Sequence, residues 1–195
     1  GSYLRNSRIK KNFAAVDRVF NRSQIHPSSM YSPLLEYGRI NGRQYIIPVS
    51  FNLPTVIFSQ KNHDLVSENM LIDSDAIREA ASMFNQKSKD EVFVKMGYAP
   101  SWDANFIYQI AKAGGAEFGE KGTTFSWNAE SLASTVSYLK NWSRDKNGGT
   151  TAEQDFSFKY LYAPKQKLVD SERCLFAYIK SDVFFDIPSE QTESI

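Results

Sequence analysis

The 195-residue sequence predicts an α/β domain, because stretches with helical spacing of apolar residues alternate with short apolar runs typical of strands. The length suits one ordinary domain or one lobe of a larger protein. Apolar residues make up 42% of the chain and aromatic residues 14%, which is enough for a packed core. The formal net charge of +1 gives no electrostatic reason to expect nucleic acid or an anionic membrane as a partner.

The amino-terminal part predicts one helix and one hairpin. Apolar residues share a face of a helix over residues 4–20, while basic residues lie off that face. Further along, Asn41-Gly42 stands between two short apolar runs, and this dipeptide favours the tight turn of a β-hairpin.

The stretch 44–59, QYIIPVSFNLPTVIFS, predicts two short strands over residues 45–47 and 55–58, with a joint between them. Val, Ile, Tyr and Phe dominate both runs, as is typical of buried strands. Pro48 and Pro54 fix φ and remove backbone donors, so the joint is not a continuous central strand. Taken alone, the stretch is a core strand pair interrupted by a turn.

Helices and strands alternate through the remaining chain. Strands are predicted over residues 91–95 and 173–180, and a small hairpin is predicted around Gly122. Helices are recognised by apolar spacing and by the residues that cap or end them. One helix follows Ser74 over residues 75–84, a second follows Ser101 and stops at Gly114-Gly115, and a third, capped by Asn128, spans residues 128–142. A fourth runs from a capping box of Thr151 and Gln154 to about Tyr162, with Phe158 on its inner face, and a fifth starts at Ser181.

No catalytic motif is recognised in the sequence. His26 and His63 lack second ligands at metal spacing, and the chain has neither a phosphate-binding loop nor a nucleophile elbow. Cys174, the single cysteine, lies in an apolar run, which predicts a buried free thiol and excludes an internal disulfide. We therefore expect a protein that is not an enzyme and needs no cofactor or metal.

Five segments follow one another in a set order. The first is GRQYIIPVSF from Gly42 with the run at 53–59, and the second is the 74–84 helix. The third runs from Ser101-Trp102-Asp103 through Gly114-Gly115 to Phe118, and the fourth is the 128–142 helix ending at Gly148-Gly149. The fifth is SERCLFAY from Ser171, followed by Ser181-Asp182. Together they resemble the maltose-binding-protein-like family of extracellular solute-binding proteins of sugar-importing ABC transporters. The chain departs from the family pattern at Phe58-Ser59, where Tyr-Asn is usual, and at 172–176, where Gly-x-Ala-Ala-Met is usual.

The resemblance implies a periplasmic-binding-protein-like lobe of type II, incomplete, with helices packed around a short mixed sheet. Residues 1–48 would be a remnant of the first lobe and the lead-in to a hinge, and residues 49–195 the second lobe. The chain would then be a fragment of a protein located in the periplasm or on the cell surface, with any lipid anchor outside it. The implied partners are a sugar or oligosaccharide and the permease subunits of the transporter.

The resemblance also implies ligand-binding residues at a cleft between the lobes. Sugars need aromatic plates and polar hydrogen-bonding groups held in a cleft that a hinge can close. The candidates are Ser50, Phe51 and Asn52 in the hinge joint, Trp102 as a stacking plate beside the hydroxyl acceptor Asp103, and Ser181, Asp182 and Phe184 in the loop after the 173–180 strand.

Simpler interpretations of the same residues remain open. Trp102 can be a packing residue at a helix start, Asp182 a plain N-cap, and the 50–52 segment ordinary turn chemistry. Two further functions also remain open. One is an adhesion or interaction protein that reuses the lobe fold, and the other is a carbohydrate-active enzyme.

Overall fold

The computed structural model describes residues 11–22, 26–65, 73–121 and 124–195. Over these residues the protein has mixed α/β structure, as the sequence predicts at this coarse level. The chain divides into two compact units, and each is described separately below. The first contains the described residues up to Phe51 together with Gly119–Ser126, and the second contains Asn52–Phe118 and Trp127–Ile195.

The first unit contains two short helices and two hairpins. Helix α1 spans Asp17–Arg22, a 3-10 turn spans Pro27–Ser29, and helix α2 spans Ser32–Tyr37. Strands β1 (Arg39–Ile40) and β2 (Arg43–Gln44) pair antiparallel, and strands β6 (Gly119–Lys121) and β7 (Thr124–Ser126) form the second hairpin.

Both predicted hairpins are confirmed. The turn between β1 and β2 places Asn41 at φ 50° and Gly42 at φ 75°, two positive angles that this dipeptide accepts at low cost. Behind this turn, Gln44 is buried, and its side-chain amide donates to the carbonyls of Leu35 and Ile46. The β6–β7 pair surrounds Gly122, which itself lies outside the described residues.

Two predictions about the first unit are wrong. Residues 11–16 are not helical and α1 begins at Asp17, whereas residues 4–10 of the predicted 4–20 helix lie outside the described part. Residues 45–47 form no strand. The backbone amides of Tyr45 and Ile46 both donate to the carbonyl of Gly38, which directs the chain away from β1 and ends the pairing at Gln44.

The second unit is centred on one antiparallel pair. Strand β3 (Pro54–Phe58) pairs with β8 (Phe176–Lys180), in register from Pro54 opposite Lys180 to Phe58 opposite Phe176. Ile57, Ala177 and Ile179 face one apolar cluster, and the alternate residues Phe176 and Tyr178 face another. Because both faces of the pair are covered, β8 carries a nearly continuous apolar run instead of a polar alternation.

Helices surround this pair and supply the rest of the core. Trp142, Phe106, Ile77 and Ala81 pack against Phe176 and Tyr178. In chain order the helices are α3 (Ser74–Phe84), α4 (Ala104–Ala113), α5 (Ala129–Asn141), α6 (Thr150–Tyr160), α7 (Lys165–Asp170), α8 (Ser181–Phe185) and α9 (Ser189–Thr192). A 3-10 helical stretch spans Gln60–Leu65, a 3-10 turn spans Pro100–Trp102, and a π-helical turn spans Trp142–Lys146.

The sheets are smaller than the resemblance implies. Within the described residues the strands form four separate two-stranded antiparallel sheets, the fourth being β4 (Gln86–Lys87) with β5 (Phe93–Lys95), and no mixed sheet is present there. The 91–95 and 173–180 predictions therefore identify β5 and β8 but extend too far at their amino-terminal ends.

Several helix ends differ from the sequence prediction. Asp73 caps α3 instead of Ser74, and Asp103 caps α4 instead of Ser101, which lies in the preceding 3-10 turn. Asn128 caps α5 as predicted, and its side chain accepts from the amide of Ser131. The predicted capping box at the start of α6 is absent, because the helix begins at Thr150 after Gly149, which makes no side-chain cap.

The inward face of α6 also differs from the prediction. Phe158 is 93% exposed and Tyr162 is exposed as well, whereas Glu153 and Phe156 are buried. The core therefore receives the face that carries residues 153 and 156. Phe158, two positions after Phe156, projects from the other side of the helix.

Candidate functional site

A buried network of hydrogen bonds holds the segment that carries Trp102 and Asp103. Asn85 Oδ1 accepts from the amide of Gly97 at 2.8 Å, and Asn147 Nδ2 donates to the carbonyl of Tyr98 at 3.2 Å. Asn147 also donates to Glu153 Oε1 at 2.8 Å, and Ser101 Oγ donates to Glu153 Oε2 at 2.5 Å. Side chains from the end of α3 and the start of α6 therefore fix the 97–102 segment from both sides.

Asp103 joins three elements of the second unit. Its Oδ1 caps α4 by accepting from the amide of Asn105 at 2.9 Å, and its Oδ2 accepts from Lys165 Nζ at 2.9 Å. Lys165, the first residue of α7, also donates to the carbonyl of Tyr178 on β8 at 2.6 Å. This ion pair therefore ties the start of α4 to α7 and to the central strand pair.

Trp102 is half-buried and in contact with other aromatic rings. Its ring stacks on Phe156 with centroids 5.3 Å apart and planes inclined by 13°, and the ring of Tyr98 meets it edge-on at 5.9 Å. The indole Nε1 donates to the carbonyl of Glu153 at 3.3 Å. Since Phe156 covers one face of the indole, only the remaining surface is open to stacking, and the role of Trp102 in ligand binding stays a prediction.

Three of the predicted site residues lie together beside the ends of β3 and β8. Asn52 Nδ2 donates to Asp182 Oδ2 at 2.9 Å, and the amide of Asp182 donates to Asn52 Oδ1 at 3.1 Å. Ser181 Oγ accepts from the amide of Leu53 at 3.0 Å and lies 3.5 Å from Asn52 Oδ1. These groups form an exposed polar cluster whose members are about 130 residues apart in sequence.

The other three predicted residues occupy different surroundings. Ser50 and Phe51 belong to the first unit, where Ser50 is exposed and Phe51, 54% exposed, stacks on Tyr31 with centroids 6.4 Å apart. Phe184 belongs to the second unit and packs at the edge of the cluster formed by Ile57, Ala177 and Ile179. No contact brings Phe184 to Asn52 or Ser181 among the contacts that the structure describes.

A groove of about 540 Å³ lies in the second unit next to these residues. Asp103 lines it, whereas Ser181 and Asp182 lie between its lining residues Lys180 and Val183. Other polar groups reach it from α4, α7 and the end of α8: Asn105, Lys165, Gln166 and Asp186. The groove thus presents carboxylates, ammonium groups and amides along a partly apolar wall, a combination that can bind a hydroxyl-rich ligand.

A second groove of about 560 Å³ lies elsewhere in the same unit. Ile107 and Val136 form an apolar wall, and Arg144 and Glu153 are among its polar residues. None of the eight predicted site residues lines it. The groove at Asp103 is therefore the candidate site.

Burial controls the ionisable groups around the core. It raises the pKa of Tyr98 far above the usual value for tyrosine, and the charges of Asp103 and Tyr178 raise it further. The pKa of Tyr178 is raised mainly by burial and also by Asp103. Burial raises the pKa of Cys174 to about 12, against the opposing effect of Arg173, which confirms the prediction of a buried free thiol.

Several lining residues were missed at the level of sequence. Lys165 follows Pro164 and looks like an ordinary surface lysine, so no local signal marks its ion pair with Asp103. Lys180 and Asp186 were also missed, although their positions around the Ser181 helix start could have indicated that they share its surface. Tyr178 also lines the groove and has no sequence signal beyond lying in the predicted 173–180 strand.

The described residues contain neither a metal-binding cluster nor a membrane-spanning helix. In the described residues, no three His, Cys, Asp or Glu side chains are grouped so as to hold a metal ion. No helix in the same part of the chain is sufficiently long and apolar to span a membrane. Comparisons of the chain with protein-family models, curated proteins and solved structures gave no match.

Proposed function

We propose that this chain is part of an extracytoplasmic solute-binding protein of an ABC importer and that it binds a sugar or oligosaccharide. In this proposal the second unit is a lobe of the type II binding-protein fold, and the protein is not an enzyme. It acts in the periplasm or at the cell surface as a lipoprotein that delivers its ligand to the permease subunits.

One observation carries this proposal. Predicted site residues from three of the five ordered sequence segments lie at or beside one groove of the second unit. Asn52, Ser181 and Asp182 are hydrogen-bonded to one another, and Asp103 lines the adjoining groove of about 540 Å³. Asn52 and Asp103 lie far apart in sequence from the residues after β8, so turn chemistry alone gives no reason for them to share a surface.

The groove has the mixed donors and acceptors that sugar hydroxyls require. Asp103 and Asp186 supply acceptors, and Lys180 supplies a donor. Neither the Lys180 nor the Asp186 side chain has a hydrogen bond or ion pair with another residue in the described part of the chain. They are therefore free to bind a ligand without breaking an internal contact.

A thermal-shift screen of the whole protein tests the ligand class. The panel contains monosaccharides, oligosaccharides, amino acids and inorganic anions at matched concentrations. We expect one or more sugars to raise the unfolding midpoint, because a ligand that binds only the native state stabilises it by mass action. If amino acids or anions raise the midpoint and no sugar does, the sugar assignment is wrong.

An interaction protein is the second candidate function, and one observation favours it. Phe158 and Tyr162 lie at and just beyond the end of α6, and Phe158 is almost fully exposed. Contiguous exposed apolar patches, and not single side chains, mark protein contacts, and these two rings are four positions apart. A partner protein that raises the unfolding midpoint, together with a Phe158→Ser variant that abolishes this effect, would favour this function over transport.

A further inference from the structure

The hydroxyl group of Tyr98 is buried and has an unsatisfied hydrogen-bonding capacity. Tyr98 is only 3% exposed, and its buried Oη has no hydrogen-bond partner among the described residues. A buried hydroxyl without a partner loses its hydration and gains nothing in return, so such groups usually bond to protein or to ordered water. This oxygen therefore indicates a bound group that is not part of the chain.

A small cavity adjoins this side chain. Its volume is about 20 Å³, and roughly 10–15 Å³ is enough for one water molecule. Tyr98, Asp103, Lys165 and Tyr178 line it, together with apolar residues such as Leu168 and Phe176. The cavity is thus large enough for a single oxygen atom with its hydrogens and has polar groups on its wall.

The polar groups on the wall have unused hydrogen-bonding capacity. Lys165 Nζ carries three protons and uses two of them, for Asp103 Oδ2 and for the carbonyl of Tyr178. The carboxylate of Asp103 accepts one recorded bond at each oxygen, and each oxygen can accept another. A hydroxyl oxygen in the cavity can accept from Lys165 and bond to both Tyr98 and Asp103, which gives about three bonds, the usual number for a buried water.

We propose that this cavity is a binding site for one hydroxyl oxygen and that a water molecule occupies it in the free protein. The water bonds to Tyr98 Oη and to the Asp103–Lys165 ion pair, so Tyr98 is a positioning residue for Asp103. The site also adjoins the groove, because Asp103, Lys165 and Tyr178 line both. Replacement of this water by a hydroxyl of a bound sugar is an extension that rests on the proposed function.

Water-proton magnetic relaxation dispersion, which detects long-lived buried waters, tests the site in the full chain. We expect Tyr98→Phe to remove the contribution of one long-lived water. Tyr160→Phe is the matched control, because Tyr160 is half-buried, packs on Phe156 and Arg173, and does not line this cavity. An unchanged contribution in Tyr98→Phe, or an equal loss in both variants, would overturn the proposal.

Chemical unfolding of the same variants is an independent test. The change in stability caused by Tyr98→Phe has a different sign depending on whether the hydroxyl bonds to a bound water. If the hydroxyl bonds to a bound water, Tyr98→Phe raises the unfolding equilibrium constant by about three- to tenfold. If the hydroxyl has no partner, its removal leaves the unfolding equilibrium constant unchanged or lowers it, and the proposal fails.

Addition of a saturating sugar tests whether a ligand hydroxyl replaces the water. Loss of the water signal assigns the site to a ligand hydroxyl in the bound protein, and persistence of the signal assigns the site to water in both the free and the bound protein. If no sugar binds, only the extension fails, since the water count in the free protein is unaffected.

Discussion

At the scale of single residues, Lys165 and Asp103 organise the candidate site. The side chains of Lys165 and Asp103 are 38% and 18% exposed, so water only partly screens their interaction. Lys165 also donates to the Tyr178 carbonyl, and Asp103 caps α4. Because one ammonium group serves two acceptors on different elements, removing it leaves two oxygens without their donor.

Replacing Lys165 by Met tests this arrangement. We expect the free energy of unfolding to fall by about 1–2 kcal/mol, because the variant keeps much of the aliphatic stem and loses only the charged donor. Urea unfolding measures the change. Lys167→Met is the control on the same helix, since Lys167 is exposed and has no side-chain partner in the described part of the chain. Equal effects of the two substitutions would show that the ion pair does not stabilise the fold.

Cys174 provides a residue-scale prediction about pH. The pKa of its thiol is about 12 in the folded protein and 9.0 as an ordinary value, so the unfolded chain loses this proton first as pH rises. The free energy of unfolding should therefore fall as pH rises from 9 towards 12, by on the order of 1 kcal/mol per pH unit from this group, with no contribution below pH 9. Cys174→Ala, compared by urea unfolding across this range, should show a shallower decline, and parallel curves would contradict the assignment.

At the scale of elements, Gly97 sets how closely the loop before Trp102 approaches α3. A Cβ at Gly97 would lie 2.3 Å from Ala81 Cα and 2.4 Å from its carbonyl oxygen, both backbone atoms that cannot rotate away. The close approach lets Asn85 accept the Gly97 amide, and it explains why Ala81 and Met96 are fully buried. The position of Asp103 thus depends on the absence of a side chain six residues earlier.

Gly97→Ala should be strongly destabilising. We expect a loss of about 2–3 kcal/mol or more in the free energy of unfolding, since α3 and the loop must separate. Gly114→Ala serves as the comparison, because there the new Cβ would meet the side chain of Thr135 at 2.9 Å and the backbone has a negative φ. A loss below about 1 kcal/mol is expected for that variant. Similar losses for both would show that the approach at Gly97 is not tight.

The face that α6 turns towards the core can be tested by substitution. Phe156 is 2% exposed and stacks on Trp102, whereas Phe158 is 93% exposed. Phe156→Ala should cost about 3–5 kcal/mol, and Phe158→Ala should stay within about 0.5 kcal/mol. Thermal or urea unfolding of the two variants distinguishes this orientation from the one that the sequence predicts. Reversed magnitudes would mean that Phe158 faces the core.

Local chemistry explains which elements were predictable from sequence. The Asn41-Gly42 turn and the Asn128 cap depend on residues within a few positions, and both are confirmed. The sequence predicts Ser101 as the cap of α4, but a 3-10 turn over Pro100–Trp102 precedes the helix, so Asp103 takes the cap position. For α6, apolar spacing predicts that Phe158 faces inward, but in the structure Phe156 is buried and stacks on Trp102.

At the scale of the whole molecule, the site is harder to predict than the elements. The resemblance implies that Asn52, Asp103 and Asp182 bind a ligand, but their surroundings depend on the pairing of β3 with β8. Lys165 joins Asp103 from 62 positions away and Asn52 joins Asp182 from 130, so no spacing rule within one element reveals either contact. Sequence order supplied the hypothesis of a solute-binding lobe, and the structure supplies the groove on which to test it.

Isothermal titration of the whole protein with the sugar that gives the largest thermal shift is the most direct test of the proposed function. We expect saturable binding that weakens at least tenfold in Asp103→Ala and Asp182→Ala, because each substitution removes charged acceptors at or beside the groove. Glu130→Ala, an exposed position at the start of α5, should bind like the wild type. Sugar binding that is unchanged in both aspartate variants, or no sugar binding to the folded protein, would contradict the proposed function.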